Sequence, residues 1–204
     1  MAAVFAGLLT LSIADARVHA DDLLDQLRAR QREQAQSAPN QPLASGQQQP
    51  ATSAMPPISV YFSPNGGCTA AVVRELGNAR SSVLIEAYSF TSKPIAQALI
   101  AAQRRGAKVE AVLDYSNKTE PYSEAGLLAR SGVATYLDGR YKIAHSKVMV
   151  IDGAVVITGS FNFTHSAEAD NKENLLVIRD RGIAAIYTAE WQRQRPGVEP
   201  YGGR

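Results

Sequence analysis

From residue 58 onward, short apolar blocks with two different periods alternate along the chain. Blocks rich in β-branched and aromatic residues, which predict strands, lie at 58–63, 82–90, 108–114 and 133–137. Blocks with apolar residues at helical spacing lie between them, at 69–79, 93–105 and 123–130. Gly106 and Gly132 follow two of the helical blocks, as glycines commonly do where a helix ends. The pattern therefore predicts a βαβαβαβ order of elements.

After residue 140 the pattern changes, and two strand-like blocks follow each other directly. Residues 144–151 and 154–158 flank the dipeptide Asp152-Gly153, which is typical of a tight hairpin turn. A further strand and a closing helix are predicted at 174–178 and 183–193. Together with the earlier alternation, this predicts an α/β fold with a mixed, largely parallel β-sheet sandwiched between helices.

The first 20 residues have the pattern of an export signal. Residues 4–13 form an apolar run that is too short to cross a bilayer, which takes roughly 20 helical residues. Small residues at 14–16 and 18–20 suit a signal peptidase, so 1–20 is predicted to be a signal peptide and the protein to be periplasmic or secreted. No Lys or Arg precedes the apolar run, and the alternative is an ordinary N-terminal helix.

Residues 21–57 differ in composition from the rest of the chain. Helix formers with a narrow edge of leucines occupy 21–35. Residues 31–57 contain seven glutamines and five of the ten prolines, and such a segment cannot bury enough apolar surface to fold. We therefore expect a short helix followed by a Gln/Pro-rich, largely disordered tether, and a working domain at 58–204.

The composition limits the chemistry that the domain can perform. With 45% hydrophobic and 20% charged residues, the chain is in the range of globular proteins. One cysteine and three histidines exclude an intrachain disulfide, a thiolate-rich zinc site and a histidine cluster. Metal-dependent functions are therefore disfavoured. We also expect no metal and no cofactor. A net charge of +2 permits an anionic partner without requiring one.

His145 and Lys147 of the first predicted hairpin strand, together with Asp152 of the turn, form the spacing H-x-K-x4-D. On a strand, the first two side chains point to the same face, about 7 Å apart. An imidazole can act as a nucleophile or carry a proton, and an ammonium attracts an anion, so the pair suits a phosphodiester. The alternative is a strand with one hydrogen-bonded histidine and a solvated lysine.

A second group of polar residues follows the hairpin. Ser160 and Asn162 share a face by the same period of two and offer hydrogen-bond donors to phosphate oxygens, while Gly159 allows close backbone approach. The alternative is a turn in which these side chains bond to local backbone. Glu173 is placed to orient the His145 ring, or else it is an ordinary exposed glutamate.

The full spacing, H-x-K-x4-D-x6-G-S-x-N followed by the glutamate of NKEN, resembles the phospholipase D superfamily. The segments YFSPNGG, HSKVMVID, TGSFNFTHSAE and NKENLLVI are similar to small bacterial endonucleases of that superfamily, which carry one motif per chain. The resemblance covers residues 58 to about 191 and implies the phospholipase D/nuclease fold. It implies His145 as nucleophile and acid/base, Glu173 as its partner, and a phosphate held by three residues: Lys147, Ser160 and Asn162. It implies structural roles for Asp152 and Gly159.

A single motif per chain has a further consequence under this resemblance. The superfamily's two-step reaction uses one histidine to attack phosphorus and another to protonate the leaving oxygen. His165 matches no catalytic position and is interpreted as a surface or helix-cap histidine. The resemblance therefore implies a symmetric homodimer with a shared site and no divalent metal.

We expect a nucleic acid substrate, DNA or RNA, cleaved with little sequence preference. Three cations flank the motif and are candidates for binding neighbouring phosphates: Arg140, Lys142 and Lys172. Tyr141, Phe161 and Phe163 either stack bases or pack, with at least one of the two phenylalanines in the core. The alternatives are a phospholipid headgroup as substrate, or an inactive module that only holds an anion. We expect no stable insertion into a membrane.

Overall fold

The computed structural model describes residues 57–203 and, before them, only Ala29. The predicted signal peptide at 1–20 and nearly all of the predicted helix and tether at 21–57 therefore lie outside the described residues. Within the described part, no helix is both long enough and apolar enough to cross a membrane.

One mixed β-sheet organises the described residues. Its strands are β1 (Ile58–Phe62), β2 (Ser82–Ala87), β3 (Lys108–Asp114), β4 (Ala134–Asp138), β5 (Lys147–Ile151), β6 (Val155–Gly159), β7 (Asn174–Ile178) and β8 (Glu199–Pro200). Their order across the sheet is β1-β7-β6-β5-β2-β3-β4-β8. β3 is buried along almost its whole length, as expected for a strand covered on both faces.

The prediction of a mixed α/β sheet is confirmed, but the prediction that it is largely parallel is wrong. Among the described strands, only β2–β3 and β3–β4 pair in parallel. The other five pairings, β1–β7, β7–β6, β6–β5, β5–β2 and β4–β8, are antiparallel. The order β1, helix, β2 resembles a parallel crossover unit, but β1 lies at the sheet edge against β7. Local periodicity identifies a strand without identifying its neighbour.

Helices cover both faces of the sheet, as predicted. They are α1 (Cys68–Asn78), α2 (Lys93–Arg104), α3 (Ala125–Arg130), α4 (His165–Ala169) and α5 (Arg181–Gln194). On one face, α1 and α2 bury Leu76 and Leu99 in the main core, which also contains Met149 of β5. On the other face, α5 packs Ala184 against Val150 and neighbouring residues. The short elements α4 and β8 were not predicted.

The predicted hairpin between β5 and β6 is confirmed. Asp152 and Gly153 both have positive φ, 54° and 58°, which a two-residue turn matched to the strand twist requires. The Asp152 carboxylate accepts hydrogen bonds from the backbone N–H groups of Arg80, Ser81 and Ser82, at 2.7 to 3.2 Å. This side chain therefore ties the hairpin to the connection between α1 and β2.

Candidate active site

The antiparallel part of the sheet brings several strand ends to one edge. Because neighbouring strands run in opposite directions, the start of β5, the end of β6 and the start of β7 meet there. A cavity of about 620 Å³ opens at this edge. All five predicted motif side chains line it: His145, Lys147, Ser160, Asn162 and Glu173.

His145 precedes β5 instead of lying within it. The strand was predicted from residue 144, but it begins at Lys147. The backbone N–H of Ala144 donates to the Asp114 carboxylate at 2.7 Å. This N–H therefore bonds to a side chain instead of to the backbone of a neighbouring strand. His145 is exposed, whereas Lys147 is only 7% exposed. The two side chains therefore line the same cavity but differ in their exposure to solvent.

The Lys147 ammonium is held close to the cavity wall. Its Nζ donates to the backbone oxygen of His145 at 2.6 Å and lies 5.2 Å from the centre of the Tyr88 ring. Burial lowers the pKa of Lys147, and the negative charge of Glu173 acts in the opposite direction. The site therefore has a fixed, partly desolvated positive charge beside the histidine.

Tyr88 is a site residue that the sequence analysis missed. Its ring lies 4.8 Å from the His145 ring at an angle of 55°, and the same ring lies under Lys147. Tyr88 comes directly after β2, whose end lies beside the start of β5. Its position at a strand end was the signal available in the sequence, since site residues gather at such ends.

Ser160 is oriented by the first residue of β7. Its Oγ accepts hydrogen bonds from the backbone N–H of Asn174 at 3.0 Å and from Asn174 Nδ2 at 3.3 Å. With the oxygen accepting from both, the Ser160 hydroxyl proton is free to donate into the cavity. Gly159 has φ 147°, and a Cβ there would overlap the backbone oxygen of Asn174. The glycine therefore permits the close approach that sets this geometry.

Side chains that line the cavity and side chains that are buried continue to alternate beyond the end of β6, as predicted around Asn162. Phe161 and Phe163 are both buried in the core, which confirms that at least one of them packs there. Their burial directs Ser160 and Asn162 toward the cavity. The Asn162 Oδ1 is buried and has no hydrogen-bond partner among the described residues. The groups of this side chain that can bond a phosphate oxygen are the N–H groups on Nδ2.

Glu173 is held by the loop that follows β1. Its backbone oxygen accepts from the N–H of Ser63 at 3.1 Å, and its N–H donates to Ser63 Oγ at 3.2 Å. The Glu173 carboxylate accepts from Asn171 Nδ2 at 3.3 Å. It lines the same cavity as His145, and its pairing with that ring stays a prediction.

Residues 72–195 match the family described as cardiolipin synthase, PLD-like domain. The chain belongs to the phospholipase D superfamily. A phospholipase D of Rickettsia felis is 39% identical over 138 residues, which are 68% of this chain and 69% of that protein. A mitochondrial cardiolipin hydrolase of Xenopus laevis is 36% identical over 63% of this chain and 61% of that protein.

Two solved structures extend the comparison to the fold. Nuc from Salmonella typhimurium, a phospholipase D family member, aligns with a TM-score of 0.68 and 36% identity. The alignment covers 71% of this chain and 97% of that one. NucT from Helicobacter pylori aligns with a TM-score of 0.66 and 28% identity, over 71% and 98% of the two chains. The chain is therefore a phosphodiesterase of the phospholipase D superfamily with the fold of Nuc.

The three flanking cations that were predicted to bind substrate do not line the cavity of about 620 Å³ that contains the motif side chains. The Arg140 guanidinium donates to the Asp138 carboxylate at 2.7 and 2.9 Å, while Lys142 and Lys172 are exposed. Their contact with phosphates stays a prediction. His165 is exposed at the first residue of α4. Among the described residues, no three His, Cys, Asp or Glu side chains are grouped to hold a metal ion.

Proposed function

We propose that the chain is a metal-independent endonuclease that hydrolyses phosphodiester bonds of nucleic acid. The observation that carries the proposal is the shared cavity, where an exposed imidazole lies beside a buried ammonium and two side chains able to bond phosphate oxygens. The fixed charge of Lys147 supplies stabilisation that a metal ion supplies in many other phosphodiesterases. The donors are in place before substrate arrives, so little reorganisation is needed.

The reaction proceeds in two steps at phosphorus. A nitrogen of His145 forms a bond to phosphorus while the bond to the leaving oxygen breaks, and a second imidazole gives that oxygen a proton. That imidazole, now neutral, removes a proton from water, and the resulting oxygen displaces the His145 nitrogen. Lys147 and Ser160 stabilise the negative phosphate oxygens in both steps.

The second imidazole comes from a second copy of this chain. Three apolar side chains of edge strand β1 are 50 to 64% exposed: Ile58, Val60 and Phe62. Val60 is paired with Leu176, which is paired with Thr158 of the cavity wall, so this β1 patch is on the cavity's face of the sheet. A partner covering the β1 patch would lie beside the cavity, which supports a homodimer with a shared site.

Nucleic acid is favoured over phospholipid by the structural similarity to Nuc and NucT, which extends over nearly all of those chains. This similarity supports the resemblance of the sequence to bacterial endonucleases. A phospholipid substrate is the second candidate, because the relatives named phospholipase D and cardiolipin hydrolase are 36 to 39% identical to this chain.

Plasmid nicking in excess EDTA tests the proposal. We expect wild-type protein to nick the plasmid, and His145→Ala to lower the rate by at least about 10³-fold because the nucleophile is lost. His165→Ala is the matched control and keeps wild-type activity. Cleavage that requires added metal would contradict the mechanism. Faster hydrolysis of phosphatidylcholine or cardiolipin vesicles than of DNA would favour the phospholipid candidate.

A further inference from the structure

A second cavity adjoins the first at His145. It has a volume of about 340 Å³, and it shares His145, Ser146, Val148 and Tyr187 with the larger cavity. Its floor is formed by apolar side chains of β3 and β5, and one wall by α5. Because the two cavities adjoin, a group attached to a phosphate in the larger cavity is close enough to enter the second cavity.

The lining of the second cavity combines apolar surface with aromatic rings. Val112, Val148 and Val150 provide the apolar surface, and Tyr141 and Trp191 are among the aromatic residues. The volume is within the roughly 300 to 1,000 Å³ of ordinary ligand sites. Apolar walls that include aromatic rings suit a planar base that can stack on them.

Glu86 also lines this cavity. Among the described residues, its carboxylate forms no ion pair with a cation. Of the other lining carboxylates, Asp138 is paired with Arg140 and Glu190 with Arg193. Burial raises the pKa of the Glu86 carboxyl, and a hydrogen bond with Ser146 opposes the increase. A half-buried acceptor beside apolar walls is suited to a ligand that brings N–H donors.

We propose that the second cavity binds the base of a nucleotide next to the scissile phosphate, and that Glu86 selects bases with an exocyclic amino group. This inference rests on the proposed nuclease function, and it replaces the expectation of little sequence preference by a preference at one nucleotide position. An ionised carboxylate only accepts hydrogen bonds, so it pairs with the amino group of adenine, cytosine or guanine. Thymine and uracil have no amino group, and their single ring N–H donor lies between two carbonyl oxygens that the carboxylate repels.

The same cavity favours single strands. A base in a duplex is stacked and paired, and entering an enclosed site requires its removal from the stack. A single strand offers unpaired bases at lower cost. Wild-type protein therefore cleaves a single-stranded oligonucleotide faster than the same sequence in a duplex.

Cleavage of dA, dC and dT homopolymers of equal length, in EDTA, tests the role of Glu86. Wild-type protein cleaves the first two about tenfold faster than dT, the ratio that ~1.4 kcal/mol of differential binding produces. Glu86→Gln lowers this ratio to below about twofold, because a carboxamide both donates and accepts. Glu199→Gln is the matched control, since Glu199 is exposed and lines neither cavity, and it keeps the wild-type ratio.

Tyr141→Ala provides a second variant that does not depend on Glu86. Its side chain is 52% exposed, so its removal leaves the core intact, and the loss of a stacking surface raises KM for dA with little change in kcat. Thermal melting of each variant by circular dichroism verifies the fold.

Two outcomes separate the inference from the function on which it rests. Equal wild-type rates on all three homopolymers, or an unchanged ratio in Glu86→Gln, overturn the base site and leave the nuclease in place. No cleavage of any oligonucleotide, together with hydrolysis of phosphatidylcholine or phosphatidylethanolamine vesicles, overturns both.

Discussion

The contrast between His145 and Lys147 shows how two residues of one motif differ in environment. Lys147 is buried and bonded to the backbone oxygen of His145, so its charge stays in one place. His145 is exposed and rests on Tyr88. A fixed cation beside an accessible imidazole is the arrangement expected when one group binds phosphate and the other reacts with it.

Gly159 is a residue whose replacement should affect both stability and activity. In Gly159→Ala the new Cβ meets the backbone oxygen of Asn174, so the end of β6 and the start of β7 must separate beside Ser160. We expect the free energy of unfolding to fall by about 2–4 kcal/mol. We also expect kcat/KM to fall by at least about tenfold in protein that remains folded, because the phosphate donors move.

Gly153→Ala is the matched control for this substitution. Gly153 also has a positive φ, 58°, but a Cβ there meets no atom within 4 Å. We expect a loss of about 1–2 kcal/mol from backbone strain alone, with kcat/KM unchanged. Urea denaturation and phosphodiesterase assays measure both effects. Equal losses of activity in the two variants would show that the contact with Asn174 has no specific role.

At the scale of the element, the β5–β6 hairpin separates two functions of the motif. Lys147 is at the start of β5 and Asp152 follows its end, so their backbones are roughly 16 Å apart at ~3.3 Å per strand residue. The Asp152 carboxylate bonds to the α1–β2 connection instead of lining the cavity. One hairpin thus presents cavity-lining residues at one end and is fastened by Asp152 at the other.

The fastening by Asp152 makes stability depend on pH. Burial alone would raise the pKa of this carboxyl, but hydrogen bonds from Ser82, Ser81 and Arg80 outweigh burial and hold the pKa below its ordinary value. The stabilisation is therefore present above the unfolded-state pKa of about 3.9 and is lost as pH falls through the lower folded-state pKa.

Asp152→Asn should remove this stabilisation while tolerating the positive φ of the turn. We expect the free energy of unfolding at pH 7 to fall by about 1–3 kcal/mol, because the charged acceptor is lost. The difference from wild type should shrink below about pH 4. Urea denaturation at pH 7 and pH 3 measures both values. Asp170→Asn, at an exposed aspartate, is the control. A difference that is the same at both pH values would contradict this role.

At the scale of the whole molecule, the proposed homodimer depends on the β1 patch. Phe62 is 64% exposed, so Phe62→Ser should leave the monomer folded while weakening association. We expect light scattering to show a dimer for wild type and a monomer for the variant at micromolar concentration. Activity should fall in proportion to the dimer lost, because in the proposed dimer each site uses an imidazole from both copies.

Tyr122→Ser is the control for the β1 patch, since Tyr122 is 90% exposed and lies outside it. It should leave the mass and the activity unchanged. A wild-type protein that is monomeric at every concentration and fully active would rule out the shared site.

Periodicity in the sequence was sufficient to locate most elements. The prediction for β7 coincides with Asn174–Ile178, and Asp152-Gly153 forms the predicted turn. These features depend on neighbouring residues, whose spacing and turn preferences act locally. β8 and α4 were missed because elements of two and five residues leave little periodic signal.

The sequence alone determined the family and the motif residues, because the spacing from His145 to Glu173 is itself the signature. Only the tertiary structure decided that β1 pairs with β7, that the Tyr88 ring contacts both His145 and Lys147, and that a second cavity adjoins His145. The physical reason is distance along the chain. Strand partners and cavity walls come from segments far apart in sequence, and they meet only when the whole sheet has formed.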